Sequence, residues 1–461
     1  MHGQFNVDLL LKPGLNVLYG QNGRGKTTLL HLIANTLELD FERFKFLRFE
    51  SIEMDISNGS QIRIHPARDE EMAVDVRLDN NEIHWRDDGS ERAQQDREML
   101  RSILGNRPNY LPAFRSILER VRNESYQINL SPSLQQEFDR IRLSEHKTQR
   151  LTEASLAGSR YLARGDTTPA ALAAQKTIQC RQWFGQFTPL IRYPSIMEVT
   201  DRLESEFRDA ELEVAALERR MFSDFFLGTM RALLTSQDSP SEQEVETLLE
   251  RIRSAVHIEE DGIDPQGAHV IHQLAQAVGD AADRGAQAGD AEKRVLRLYA
   301  DMLERRSQER SNSFEPIRKF ETAVNKFLDN KTLHIAEGRR YATRNTRATY
   351  VESQNNHQYP LTSLSSGERQ VLTMLFSASR LSATSGISLI DEPELSLHID
   401  WQRIVLSELM AQSGGRQIIA CTHSPEVGAD HSGAVQIFEP TTYNPYGPIK
   451  GEGDSILDDS I

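Results

Sequence analysis

A glycine-rich loop close to the amino terminus constrains this chain more than any other stretch. Residues 20–28 read GQNGRGKTT, in which Gly20, Gly25, Lys26 and Thr27 satisfy the pattern G-x-x-x-x-G-K-[ST]. The apolar run LNVLYG enters the loop, and TTLLHLIANTL, whose apolar residues have helical spacing, leaves it. The alternative is a glycine-rich loop that arises by chance, and such a loop would not need a strand before it and a helix after it. The stretch therefore predicts a phosphate-binding loop between a strand and a helix.

The residue types of this loop suit a nucleoside triphosphate with magnesium. Glycines let backbone amides turn towards phosphate oxygens, and the start of the helix adds a partial positive charge. We expect Lys26 to reach the β- and γ-phosphates and Thr27 to ligate Mg²⁺. The other predicted nucleotide-binding residues of the loop are Gly20, Asn22, Gly23, Gly25 and Thr28.

An acidic strand far along the chain supplies the complementary groups. Residues 387–394 read ISLIDEPE, so a short buried strand would bring Asp391 to the carboxyl end of a sheet, where α/β proteins bind ligands. We expect Asp391 to hold Mg²⁺ and Glu392 to act as the catalytic carboxylate that polarises a water molecule. An ordinary acidic turn is the alternative, and the phosphate loop makes it less favourable.

The segment LSSGERQ, at residues 364–370, has two interpretations. A serine and a glycine at the start of a helix can bind an anion, whereas a serine followed by a glutamate three residues later is also a common helix cap. Taken alone, the segment favours the cap. Its position before the acidic strand, with THS at 422–424 beyond that strand, favours the anion site.

This ordered set of motifs resembles the ABC-type ATPases, in the branch that contains the structural-maintenance-of-chromosomes, RecF and overcoming-lysogenization-defect proteins. The resemblance covers residues 1–116 and 345–440. It implies that ATP lies between two heads, with Lys26 and Thr27 of one head facing the signature residues of the other. These signature residues are Ser365, Ser366 and Gly367.

The same resemblance assigns roles to two further segments. LSLH, at residues 395–398, is similar to the D-loop that crosses the dimer seam, and His423 is similar to the catalytic switch histidine that senses the γ-phosphate. The usual lid glutamine is not evident. NYLPAFR, at residues 109–115, stands where many relatives of this branch carry a Pro-x-x-Arg-like segment, and whether Arg115 takes the lid role stays open.

The pattern of elements predicts an α/β fold interrupted by helices. Alternating strands over 44–86 indicate an antiparallel β lobe, and apolar runs around a KPG turn predict a hairpin over 5–20. We expect residues 1–116 and 331–461 to form an ABC-type ATPase head with a mixed sheet and a phosphate-loop core. Residues 117–330, rich in Glu, Arg, Leu and Ala at helical spacing, predict a helical or coiled-coil insertion.

Composition and charge indicate the compartment of the chain and the kinds of partner that it suits. The longest apolar runs fall short of the roughly 20 residues that a membrane span needs, and the amino terminus has no secretion pattern. With only two cysteines, Cys180 and Cys421, a reducing cytoplasm is expected. The net charge of −15 disfavours a protein coated with phosphate-neutralising groups.

One basic patch is compatible with nucleic-acid binding. Tyr341 and Tyr350 interleave with four arginines, which suits a nucleic-acid backbone and its bases, but a solvated strand face explains the pattern equally well. The arginines are Arg339, Arg340, Arg344 and Arg347.

The motifs predict an ATPase that works through a partner. The chain ends soon after His423, which leaves no room for the carboxyl-terminal nuclease domain of overcoming-lysogenization-defect proteins. This pattern resembles the ATPase subunits of prokaryotic anti-phage systems, such as AriA of PARIS and PtuA of Septu, which are paired with a separate nuclease. The resemblance implies a homo-oligomer that responds to a phage trigger protein. A RecF-like ATPase that clamps DNA and a nucleotide-dependent scaffold with little turnover are the alternatives.

Overall fold

The computed structural model describes most of the chain and divides it into two compact units. Residues 5–66, 73–78, 81–85, 91–114, 118, 132–155, 169–234, 242–257, 289–335, 349–379 and 386–442 are described. The first unit comprises Met1–Tyr193 and Thr384–Ile461, and the second comprises Pro194–Ala383. These units divide the chain at other positions than the boundaries predicted after residues 116 and 330, so that division stays a prediction.

The secondary structure consists of short strands and helices of widely different length. The strands are β1 (Phe5–Asn6), β2 (Leu15–Tyr19), β3 (Ile52–Asp55), β4 (Gln61–His65), β5 (Ala73–Leu78), β6 (Asn81–Trp85), β7 (Asn109–Leu111), β8 (Lys331–Ile335), β9 (Thr349–Ser353), β10 (Gln358–Tyr359), β11 (Ser388–Asp391), β12 (Ile418–Thr422), β13 (Val435–Ile437) and β14 (Thr441–Thr442). The α-helices are α1 (Lys26–Glu38), α2 (Glu91–Leu104), α3 (Pro132–Ser155), α4 (Pro169–Phe184), α5 (Ile196–Leu234), α6 (Glu242–His257), α7 (Asp290–Asn325), α8 (Ser366–Ala378), α9 (Ile399–Ser413) and α10 (Pro425–Gly428).

A parallel sheet forms the centre of the first unit. Its strand order is β13-β2-β12-β11-β7, and every neighbouring pair is parallel. β11 and β12 are buried along their whole length, because their apolar sequences suit strands covered on both faces. The register places Asp391 beside Cys421 and Cys421 beside Leu18. The three strands therefore end within one residue of one another, at Asp391 and directly before Gly20 and His423.

The predicted hairpin over residues 5–20 is wrong. β1 pairs in antiparallel fashion with β14, whereas β2 pairs in parallel with β12 and β13. The apolar run of β2 is nearly continuous, which is typical of a central parallel strand rather than of a hairpin arm with one wet face.

The predicted antiparallel lobe is present. Strands β3 to β6 form a four-stranded sheet in sequence order, with every pair antiparallel. One face packs Ile62, Ile64 and Trp85 against Phe41 and Phe44, which lie in a 3-10 helix over Phe41–Phe46. Since alternate residues of a strand point to opposite faces, this packing accounts for the alternating pattern of the sequence.

Helix α1 is held at its middle and at its carboxyl end. The imidazole of His31 lies 2.8 Å from the Tyr110 hydroxyl on β7, and burial lowers the pKa of His31 to about 3, so the ring is neutral. At the carboxyl end, Glu38 forms an ion pair with Arg192, which also binds Glu145 of α3 at 2.9 Å. These contacts fix the helix that begins at the glycine-rich loop.

The second unit contains a pair of long helices. Phe207 of α5 packs on Phe314 of α7, and Glu218 of α5 pairs with Arg306 of α7 at 2.7 Å. From the first of these contacts to the second, the residue number increases along α5 and decreases along α7. The two helices are therefore antiparallel. α5 has 39 residues. At about 1.5 Å per residue it is therefore about 60 Å long.

The first unit confirms the predicted fold class, which is α/β with a parallel core and a separate antiparallel lobe. The helices α3 to α7 lie between β7 and β8 and interrupt the strands, as expected. Within the part of the chain that the structure describes, no helix combines the length and the apolar character that a membrane crossing needs.

Removing the Arg192 guanidinium is expected to destabilise the first unit strongly. Arg192, Glu38 and Glu145 have side chains exposed by 11%, 6% and 8%, so an Arg192→Met variant leaves two buried carboxylates with less compensation. Breaking a buried pair from one side costs about 3–5 kcal/mol. Urea unfolding followed by circular dichroism measures the loss.

The control for this experiment is Arg63→Met, which removes an exposed arginine that pairs with Glu53 at 3.4 Å. An exposed pair of this kind contributes about 0–1 kcal/mol. Equal urea midpoints for the two variants would contradict a stabilising role of the buried network.

Candidate nucleotide-binding site

The glycine-rich loop has the geometry of a phosphate-binding loop. It runs from the end of β2 to Lys26, the first residue of α1, and Gly25 caps the helix at φ 92°, a left-handed conformation that favours glycine. At Gly20, an added Cβ would lie 2.8 Å from the backbone oxygen of Phe438. The two glycines are thus required by a backbone turn and by a close approach.

The Lys26 amine lies inside the curve of the loop. Its Nζ donates to the backbone oxygens of Gly20 at 2.7 Å and Gln21 at 3.2 Å, and it lies 3.8 Å from Glu392 Oε1. The side chain is only 5% exposed. A buried ammonium held by carbonyls and one carboxylate is suited to exchange these partners for phosphate oxygens.

Thr27 and Asp391 come together although they are far apart in the sequence. The Thr27 hydroxyl donates to Asp391 Oδ2 at 2.9 Å, and Asp391 is buried at the end of β11. A hydroxyl and a carboxylate are hard oxygen ligands of the type that Mg²⁺ prefers. The residues present therefore fit a magnesium ion beside the phosphate loop.

Glu392 adopts an unusual backbone conformation at the same edge. Its φ is 47°, in the left-handed region that non-glycine residues rarely occupy, and such residues concentrate at functional sites. Burial, followed by the neighbouring Glu394 carboxylate, raises the pKa of Glu392 to about 7, and His423 opposes this effect. Near neutral pH this group is therefore able both to hold and to release a proton.

His423 lies between two carboxylates. Its Nδ1 forms a hydrogen bond with Glu392 Oε2 and lies 3.1 Å from Glu394 Oε1. The imidazole is 48% exposed, whereas Glu394 is 5% exposed. A half-exposed histidine attached to one buried and one partly buried carboxylate is placed to meet a ligand from solvent.

The segment at 364–370 forms a helix cap. Ser365 caps α8 and its Oγ accepts from the Glu368 backbone N–H at 3.3 Å, while Glu368 Oε2 accepts from the Ser365 N–H at 2.6 Å. The Glu368 carboxylate also binds Lys331 at 3.0 Å. Ser365 and Ser366 are nonetheless exposed, and Gly367 is buried.

The predicted site residues divide between the two compact units. Those at the edge of the parallel sheet belong to the first unit, and the signature residues belong to the second. In the first unit the predicted set is Gly20, Asn22, Gly23, Gly25, Lys26, Thr27, Thr28, Asp391, Glu392 and His423. Arg115 and the basic patch of Arg339, Arg340, Arg344 and Arg347 lie outside the described residues.

Glu394 is the functional candidate that the sequence analysis missed. The second glutamate of DEPE was the available signal, but a sequence does not show that this side chain turns back towards His423.

Two protein-family models match the chain. Residues 199–430 match the model described as "AAA domain, putative AbiEii toxin, Type IV TA system", and residues 2–252 match the model described as "AAA domain". No curated protein sequence matches the chain.

Three solved structures are similar to the chain at low identity. The Smc head domain with an extended coiled coil bound to the C-terminal domain of ScpA, from Pyrococcus furiosus, is 11% identical, with 92% of this chain and 86% of that chain covered and a TM-score of 0.32. The Smc head domain with a coiled coil and joint, from Pyrococcus yayanosii, is 14% identical, with 92% and 90% covered and a TM-score of 0.32. The SmcHead bound to the C-winged helix domain of ScpA is 10% identical, with 92% and 86% covered and a TM-score of 0.34.

The parallel core, the antiparallel lobe and the phosphate loop beside an acidic strand end define a P-loop nucleotide-binding fold. Each family match spans at least half of the chain, which therefore belongs to the AAA-domain family.

Replacing Lys26 by alanine is expected to abolish ATP binding. The substitution removes the buried ammonium inside the loop and with it the charge that faces the phosphates. The affinity for a fluorescent ATP analogue in the presence of Mg²⁺ measures the effect. The matched control is Lys45→Ala, which removes an exposed lysine. Unchanged affinity of the Lys26 variant would contradict the assignment of this loop.

Proposed function

We propose that the chain is an ATP-hydrolysing subunit of an anti-phage defence complex that oligomerises and controls a separate nuclease. The observation that carries the ATPase part is the grouping of Lys26, Thr27, Asp391, Glu392 and His423 through direct contacts. These side chains supply a phosphate-binding cation, two metal ligands, a carboxylate of raised pKa and a histidine.

Each side chain has a distinct part in the proposed reaction. Lys26 and the amides of the loop bind and orient the triphosphate, and Thr27 with Asp391 would hold Mg²⁺, which when bound offsets phosphate charge. Glu392 orients a water molecule and accepts its proton on the carboxylate. His423 holds the Glu392 carboxylate through Nδ1 and keeps it aimed.

A second copy of the chain completes the site in this proposal. Ser365 and Ser366 are exposed at the start of α8, where the helix dipole favours an anion. We assign them, with the buried Gly367, to the γ-phosphate of ATP bound by a partner head. ATP would therefore join two heads, and hydrolysis would release them.

The defence role is supported by the description of one matching family. One matching family is described as a putative AbiEii toxin of a type IV TA system, which supports a place in a system of several components. We therefore assign ATP-driven assembly to the control of a nuclease partner and to the response to a phage protein. A RecF-like clamp is the rival, and it predicts DNA binding by this chain alone that weakens steeply as salt is added.

A Glu392→Gln variant is expected to bind ATP and to hydrolyse it slowly. Glutamine keeps the shape of the side chain but does not accept a proton, and a general base contributes about 10²- to 10⁴-fold to a rate. Phosphate release and ATP affinity, measured on the same sample, separate the two effects. Glu53→Gln, a change at an exposed carboxylate of the β lobe, serves as the control. Equal turnover of wild type and the Glu392 variant would overturn the role.

A Ser365→Arg variant is expected to bind ATP in one head but to lose ATP-dependent assembly. The added side chain occupies the exposed start of α8, where a partner's phosphate is proposed to bind. Light scattering with and without ATP measures assembly, and plaque counts in cells that also carry the proposed nuclease partner measure protection from phage. The control is Ser223→Arg on the exposed face of α5. Full assembly of the Ser365 variant would contradict the two-headed site, and protection without assembly would contradict the defence mechanism.

A further inference from the structure

Glu394 makes an unusual set of contacts for a carboxylate outside the predicted site. One of its oxygens, Oε1, accepts a hydrogen bond from the Thr422 hydroxyl at 2.5 Å and from the backbone amides of His423 and Ser424, each at 3.0 Å. The side chain is 5% exposed. A single buried oxygen thus binds all three residues of the turn that follows β12.

Two consecutive backbone amides that donate to one oxygen determine the path of that turn. The turn is closed further by the Ser424 N–H, which also donates to the Thr422 hydroxyl oxygen at 3.0 Å. Because the backbone of His423 is fixed on this oxygen, the origin of its imidazole is fixed as well. The ring then reaches Glu392 Oε2 through Nδ1.

The second oxygen of Glu394 is buried at a cost, because the position of this side chain leaves it without a hydrogen-bond donor in the described part of the chain. Oε2 is buried and forms no hydrogen bond with any of the described residues. Burying a carboxylate oxygen without a hydrogen bond costs free energy, whereas an apolar side chain of similar volume would fill the same space without this cost. The turn therefore uses Oε1 as its acceptor, and its amides depend on where this oxygen lies.

We propose that Glu394 is a positioning residue, whose Oε1 fixes the Thr422–Ser424 turn so that His423 Nδ1 meets the Glu392 carboxylate. This inference rests on the proposed ATP hydrolysis, in which Glu392 orients water. It extends that proposal because Glu394 acts through His423.

Two substitutions at Glu394 separate position from charge. Glu394→Gln removes the charge and keeps a carbonyl oxygen at the distance of Oε1. Glu394→Asp keeps the charge and withdraws the oxygens by one methylene. Positioning predicts that the aspartate variant is the more defective of the two, whereas a role through charge predicts the reverse. Because the Glu394 carboxylate also raises the pKa of Glu392, the variants are compared by the protection of the turn as well as by their rates.

Hydrogen exchange of the nucleotide-free full chain tests the geometry without catalysis. The amides of His423 and Ser424 are expected to exchange about 10-fold faster in Glu394→Asp than in wild type, because their acceptor is withdrawn. In Glu394→Gln they are expected to stay close to wild type. The matched control is Glu426→Gln, which removes a carboxylate on α10, the helix that follows the turn; this carboxylate pairs with Arg403 of α9. Unchanged exchange in the aspartate variant would overturn the proposal.

Kinetics then test the consequence for turnover. Glu394→Asp is expected to lower kcat about 10- to 100-fold while ATP affinity stays near wild type, since a displacement of this size misaligns the reacting groups. Thr422→Val removes the hydroxyl that donates to Oε1 and accepts from the Ser424 N–H. It should lower kcat in the same direction, and it tests the proposal if the aspartate variant does not fold. A loss of ATP affinity without loss of kcat, or a glutamine variant as slow as the aspartate variant, would overturn the positioning role.

The outcome for wild type distinguishes the two proposals. If the wild-type chain binds ATP but does not hydrolyse it under any condition, the proposed function fails and the exchange experiment still decides whether Glu394 fixes the turn. If wild type hydrolyses ATP and Glu394→Asp equals it, only the positioning role fails.

Discussion

The register of the parallel sheet is the constraint on which the first unit depends. Asp391, Cys421 and Leu18 lie side by side on β11, β12 and β2, and the three strands end within one residue of one another. The segments that follow them are the acidic turn, the histidine turn and the glycine-rich loop. A slip of one residue in any pair would move these segments along the strand by about 3.3 Å and turn every side chain of that strand to the other face. Contacts such as Thr27 with Asp391 would then be lost.

Buried charged groups hold helix α1 at both of its ends. Glu38 at the end of α1 meets Arg192, and Lys26 at its start meets two carbonyls and Glu392. A buried ion pair contributes little net stability, but removal of one partner is costly. The helix is therefore tied at both ends by contacts that tolerate little displacement. Such ties suit a helix that must present its first turn to a phosphate.

The sequence predicted the elements better than it predicted their partners. The phosphate loop, the acidic strand end and the antiparallel lobe follow from local patterns that a single segment carries. The pairing of β1 with β14 does not, because it joins the two ends of the chain and no local pattern encodes a distant partner. The hairpin over 5–20 failed for this reason, since adjacent apolar runs favour a local turn until the rest of the sheet is known.

Glu394 shows the same limit at the level of the site. Its neighbours Asp391 and Glu392 were predicted because a strand end beside a phosphate loop has a known chemical use. The use of Glu394 depends on a turn 28 residues further along, which folds over its Oε1. A role that consists of hydrogen bonds to a remote backbone leaves no motif of its own. The left-handed conformation of Glu392, at φ 47°, is likewise a property of the folded turn.

The two interpretations of the signature segment are compatible in the structure. Ser365 Oγ caps α8 by accepting from the Glu368 N–H, and this contact uses one lone pair of the oxygen. A serine hydroxyl has a second lone pair and a proton to donate. The cap therefore leaves the O–H able to turn towards a phosphate, while Glu368, held by Lys331 at 3.0 Å, keeps the first turn rigid. A capping box at an exposed helix start is thus compatible with the proposed anion binding.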